Sequence, residues 1–161
     1  MLTIQTVADV LETKSNGAIA DWLGRVDAQP DIISVPLTSE DRCAHLPEMF
    51  REIVIRLRNP VPLCTRLLTS NAADRHGDRR REQGYSASMI VEESRILQVT
   101  IFDTLRQNLQ DMDPAILLGD VMTIADEVDS QLAQTMSRFL FEPKASTRLR
   151  STRSAGLSKD Q

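Results

Sequence analysis

RHGDRRREQGYS, residues 75–86, is the stretch that decides how this chain folds. Residues 74–83 carry no apolar side chain, yet the segments on both sides have strong helical periodicity. Gly84 is placed to end a helix in the left-handed conformation, and Ser86 is placed to cap the next one. The stretch thus reads as the end of one helix, a tight turn at Gly84 and Tyr85, and the start of an antiparallel neighbour. Carried forward from Leu68 and Ala72, the inward stripe of the first helix passes through His76, then Arg79 or Arg80, then Gln83. Its inward face has turned polar. Residues equidistant from the turn should meet, which sets His76 beside Glu92 and the basic pair Arg79-Arg80 opposite the acidic pair Glu92-Glu93. Removing one partner of such a buried pair costs roughly 3–5 kcal/mol, so a chain that buries these groups must pair them. The expectation is a charged brace between two helices, built from His76, Arg79, Arg80, Tyr85, Glu92 and Glu93.

Working outward, five helical segments flank or include this turn. Ile4, Val7, Leu11, Ala18, Trp22 and Val26 keep one face across residues 3–26, with Asn16-Gly17 as a weak point inside a single helix. Residues 29–37 read as a loop with two prolines. Thr38 then caps a helix with Asp41 three positions on. Its stripe is Cys43, Leu46, Phe50, Ile53 and Leu57, and Pro47 within it predicts a kink or two pieces. A third helix is expected over residues 63–83. The fourth, opened by Ser86, carries Ile90, Leu97, Ile101 and Leu105, broadened by Phe102 and Leu109. Asp113-Pro114 opens the fifth, where Leu118, Val121, Ala125, Val128, Leu132, Met136 and Phe139 step at nearly heptad spacing. This last stripe packs as an antiparallel neighbour in the bundle, or doubles as a dimer seam and output element.

The fold class that follows is all-α, one bundle of about five helices, with globin-like crossings as the alternative to parallel packing. With aromatics at 4% and only 6 glycines, a β-sandwich or barrel lacks its usual building material. No apolar run is long enough to span a membrane, and the first residues lack the layout of a secretory signal, so a cytoplasmic location is expected. Residues 1–142 are expected to form the helical domain, with net charge −8. Residues 143–161 hold five Lys+Arg against Asp160, hence +4, and read as a basic disordered tail. The acidic folded part argues against specific nucleic-acid recognition.

Catalysis finds little footing: no Ser/His/Asp or Cys/His arrangement has recognisable context. Cys43 and Cys64 follow no metal-ligand spacing. A metal or haem requires convergent ligands, and His45, the one histidine besides His76, belongs to a different helix with nothing to pair them. No metal and no cofactor are expected. As a phosphoacceptor, His76 lacks a positioned carboxylate, since Asp78 two residues away points elsewhere on a helix. Arginine forks suit oxyanions, so a receptor site for an anionic metabolite near His76, Arg80 and Glu92 is the alternative to the brace.

Four stretches, ADWLGRV, LTSEDRCAHLPEMFREIVIRL, HGDRRREQGYS and MIVEESRILQVTIFDTL, give the chain a family likeness. With Trp22, Arg42, Leu46-Pro47, His76-Gly77, an arginine at 79 or 80, Gly84-Tyr85-Ser86 and Glu92 or Glu93, the chain resembles the N-terminal helical domain of RsbRD-type RsbT co-antagonists. That domain also precedes sensor histidine kinases. The resemblance covers residues 5–140 and implies a non-catalytic input or protein-interaction domain in a bacterial signalling or stress-response pathway; the expected mode of action is helix–helix contact with a protein partner, as a homodimer. Relatives carry an output module after this domain. Here the sequence stops at Gln161, so the expectation is a free-standing regulator or a detached sensor.

Overall fold

In a computed structural model, which describes residues 4–141, the chain is all-α, with no strand among those residues. Helix α1 (Val7–Asp27) is followed by two short helices, α2 (Pro30–Ile33) and α3 (Ser39–Cys43), and then by α4 (Leu46–Arg58). An irregular segment leads to α5 (Asn71–Glu82), α6 (Ala87–Gln107), a 3₁₀ turn (Leu109–Asp111) and α7 (Pro114–Phe139). Helix α1 packs against α4 and α6, while α7 packs against α5, α6 and α4. The core between them is built around Trp22, Phe50, Leu46, Ile53, Ile90, Ile101 and Ile124. No helix among the described residues is long and apolar enough to cross a membrane. Residues 143–161, read as a tail, lie outside the described residues.

Local chemistry explains most of the boundaries. Thr6 and Asp9 form a reciprocal capping box, so α1 begins at Val7 and not at residue 3, and Ile4 is left exposed ahead of it. Asn16-Gly17 stays inside the helix. Thr38 caps α3 by accepting from Asp41 N at 3.1 Å. The chain breaks after Cys43 and resumes at Leu46, with Pro47 in the first turn of α4, where a missing N–H costs nothing. Pro30 likewise starts one helical turn inside the expected loop, burying Ile32. Ser86 and Asp113 cap α6 and α7 as their sequence positions predict.

The third segment is the main departure. Helix α5 begins at Asn71, not near residue 63, because Pro60 and Pro62 precede Cys64, whose backbone is left-handed at φ 60°. Leu63 and Leu67 are exposed and belong to no stripe. Ser70 is the true cap, accepting from Ala73 N at 2.9 Å while donating its own N–H to the Gln134 side chain.

Helix α7 also sits in a different rotation from the heptad reading. Its buried face is Ile124, Glu127, Val128, Gln131 and Thr135. Val121, Ala125, Leu132, Met136 and Phe139 flank that face half-buried, and Leu118 is exposed. The polar members go inward because they find partners there. Arg56 donates to Glu127 Oε2 at 2.9 Å and also pairs with Asp126, and Gln131 donates to Glu52 at 3.1 Å. Burial pushes the Glu52 carboxyl above its usual range.

Helices α5 and α7 approach closely at Gly77. A Cβ added there would lie 2.8 Å from Arg138 Cβ and closer still to the Thr135 carbonyl oxygen. Gly77→Ala should therefore destabilise the fold by up to about 2 kcal/mol, because overpacking of about 1–3 kcal/mol offsets or exceeds the roughly 1 kcal/mol gained in helix propensity. Urea denaturation of the two proteins measures the difference.

Candidate functional site

The turn at Gly84 assembles the site. Gly84 is left-handed at φ 83°, Tyr85 N donates to Arg80 O at 3.0 Å, and Gly84 N donates to Arg81 O at 3.2 Å. These are the two bonds of a Schellman motif, and that motif brings the residue after the glycine against the last full turn of the helix. Tyr85 is accordingly laid against Arg80, whose guanidinium carbon sits 4.4 Å from the ring centroid.

Arg80 is 1% exposed and Glu93 2%. Arg80 Nε donates to Glu93 Oε2 at 3.0 Å and Nη2 to Oε1 at 3.1 Å, a two-pronged pair across the antiparallel α5 and α6. The remaining guanidinium donors reach Arg42 O at 2.6 Å and Gln83 Oε1 at 2.7 Å. Arg42 is itself buried, donating to Ile32 O, Val35 O and the Tyr85 hydroxyl, the last at 2.8 Å. Trp22 Nε1 donates to the backbone oxygen of Glu93 at 3.2 Å. One buried polar cluster thus ties α1, the segment from α2 to α4, α5 and α6 together.

His76 lies within it, 6% exposed, with Nε2 3.6 Å from Glu93 Oε2, which is longer than a hydrogen bond. The His45 ring, at the joint between α3 and α4, stacks on the His76 ring with centroids 3.7 Å apart and planes at 14°. Trp22 meets His45 edge-on at 5.8 Å. Burial first, then the neighbouring His76, Arg80 and Arg79, holds the His45 pKa well below the ordinary histidine value. Burial and then Arg80 do the same to His76. Glu93 does not reverse this, because its charge is already taken up by the Arg80 fork. Burial raises the Glu93 carboxyl, with Arg80 pulling the other way. Burial, followed by the charge of Glu93, pushes Tyr85 up to about 12.

No family model, curated protein or solved structure matches this chain.

Of the residues the sequence pointed to, the cluster collects His76, Arg80, Tyr85 and Glu93. Two fall outside. Arg79 faces solvent, 3.7 Å from Asp41, and Glu92 pairs on the surface with Arg95 at 2.5 Å. The partner of His76 is Glu93 rather than Glu92, a register shifted by one residue. The largest correction concerns His45: sequence separation suggested that nothing pairs it with His76, and the two rings are stacked. Arg42 and Trp22 join the site as well. Trp22 was read as part of the apolar stripe of the first helix, and the only signal for Arg42 was its place in the motifs that carry the family likeness.

Two cavities adjoin the histidines. An inner one of about 20 Å³ is lined by His45, His76, Glu93, Ser94, Val128 and Thr135 among others, so α7 forms one wall. An outer pocket of about 100 Å³ is bounded by Asp41, Glu48, Arg75, Arg79 and both histidines. Its cations are already engaged: Arg75 pairs with Glu48, Arg79 with Asp41, and Arg80 with Glu93. Arg80 has spent most of its donors on Glu93, Gln83 and the Arg42 carbonyl, whereas Arg75 and Arg79 are exposed and keep guanidinium donors free. The side chains at the site left without hydrogen-bond partners among the described residues are the imidazoles.

Proposed function

We propose that this chain is a non-catalytic input or adaptor domain that acts through helix–helix protein contact in a bacterial signalling pathway, as a homodimer. The observation that carries it lies on α7. The second half of this helix walls the inner cavity through Val128, Leu132 and Thr135. Its first half exposes Ile116, Leu118 and Met122, with Leu118 at 71%. One rigid element links the buried cluster to an apolar outer face, which is what an input domain needs to relay a change within its core. Asp120 is the only charged residue between Pro114 and Ala125, so two copies of this face meet without strong like-charge repulsion. Further support comes from the resemblance to co-antagonist input domains, whose quoted motif residues Trp22, Arg42, His76, Arg80, Tyr85 and Glu93 converge in the buried cluster.

Val128 is a core residue at 2% exposure, so substituting it reports on folding and not on association. Leu118→Lys combined with Met122→Lys is the informative variant. Exposed substitutions of this kind change stability by about 0.5 kcal/mol or less. Sedimentation equilibrium should show a dimer for the native chain and a monomer for the variant, with equal thermal stability. A monomeric native chain, or a variant that remains dimeric, removes the homodimer from this reading.

A further inference from the structure

The geometry points to a binding site for a divalent transition metal, of the zinc or iron(II) class, held by His45, His76 and Glu93. One ligand atom from each lies within 4.8 Å of the others. In a tetrahedral site with bonds of about 2.1 Å the ligand atoms stand about 3.4 Å apart, so the site closes when the two rings leave their stack and tilt their nitrogens toward Glu93. The three ligands come from the α3–α4 joint, α5 and α6, so an ion would cross-link three elements. The fourth position stays open to water or an external ligand.

Three features of the cluster favour an ion over the alternatives. Neither ring makes a hydrogen bond among the described residues, so each keeps a ring nitrogen free to ligate, with His76 buried and His45 partly exposed. Each Glu93 oxygen accepts one bond from Arg80, leaving lone pairs free for a metal while Arg80 fixes the carboxylate, as outer partners of metal ligands generally do. All three residues line the inner cavity, and the outer pocket, bounded by both histidines, gives a route in. An oxyanion finds less beside Glu93, because the buried Arg80 has most of its donors engaged with Glu93, Gln83 and the Arg42 carbonyl, and the free donors of Arg75 and Arg79 lie at the exposed rim. Two imidazoles offer little to hard cations, which take oxygen ligands, and leave the site to metals that bond strongly to nitrogen.

The inference stands without the dimer. If α7 relays a signal as proposed above, the metal or a ligand on its open position is the event at the cavity wall.

The test uses the full chain under reducing conditions after chelator treatment. Zn(II) is titrated against a chromophoric competitor, and Co(II) is followed by visible absorption. One equivalent should bind, with a tetrahedral-type cobalt spectrum and no thiolate charge-transfer band from Cys43 or Cys64. His45→Gln should weaken Zn(II) binding by about 100-fold or more and abolish the cobalt band. Its fold is checked by circular dichroism. Should that variant not fold, the native chain still decides the matter: it has 2 histidines, so their imidazole NMR signals report on the site directly. Both sets should shift with one equivalent of Zn(II). Absence of stoichiometric uptake, unchanged affinity in folded His45→Gln, or imidazole signals that ignore Zn(II) would each overturn the site.

Discussion

Arg80→Met should cost this protein about 3–5 kcal/mol, the largest loss expected from any single side-chain change in the cluster. The magnitude follows from what is left behind. Glu93 stays buried at 2% exposure with its two guanidinium bonds gone, and Arg42 O and Gln83 lose a donor each. Folded domains are stable by only about 5–15 kcal/mol, so the variant sits near the edge of folding. Its Tm should fall by roughly 10 °C or more, and urea midpoints should drop with little change in slope. The diagnostic comparison is the double variant Arg80→Met with Glu93→Leu. Removing both charges replaces a buried ion pair with apolar groups of similar size, a change that is often close to neutral. The double variant should recover most of the loss, giving a coupling energy well above the 0.5 kcal/mol expected of independent sites. A single-variant loss below about 1 kcal/mol would mean that Arg80 and Glu93 are hydrated in solution and that the brace carries no weight.

The same pair shows what the sequence could convey. Local chemistry was legible where one residue type has one use: Ser86 and Asp113-Pro114 open helices, Gly84 closes one, and the arginines before it need acids after it. Periodicity failed where apolar residues imitate a stripe. Leu63, Leu67 and Leu68 continue the spacing of a helix, while two prolines and a left-handed Cys64 keep that segment irregular. It failed in the opposite sense on α7, where Glu127, Gln131 and Thr135 are buried. A hydrophobic pattern cannot register a polar face whose partners, Arg56, Glu52 and the Ala73 carbonyl, lie on other helices. His45 was hidden for the same reason. Its stack on His76 is a long-range contact between two singly unremarkable residues, and neither spacing nor charge announces it. The site was therefore half visible: the ionic half obeys local geometry, and the imidazole half depends on how the bundle closes.

That imidazole half predicts a steep loss of stability in mild acid for the metal-free protein. His45 and His76 both have pKa values well below the ordinary histidine value when folded, because burial and the facing Arg80 and Arg79 disfavour the imidazolium. Unfolded, both titrate near the ordinary value of about 6.5. As pH falls through that value the unfolded chain takes up two protons that the folded chain refuses, so stability rises with pH across this window and falls with acid. The slope approaches about 2.7 kcal/mol per pH unit, twice the roughly 1.4 kcal/mol per unit of a single site. Glu93 and Glu52 oppose the trend, since burial raises both and the folded form takes their protons more readily as pH drops further. The surface carboxylates Asp78 and Glu92, lowered by Arg138 and Arg95 respectively, reinforce the loss only at the acid end, near the ordinary carboxylate range. Chelator-treated protein unfolded in urea between pH 7 and 5 isolates the histidine contribution. Arg80→Met should flatten the profile, because an unpaired Glu93 3.6 Å from His76 would hold a proton on that ring and return its pKa toward the unfolded value. A native profile flat over this range would place both imidazoles in contact with water and dissolve the link between the stacked pair and the fold.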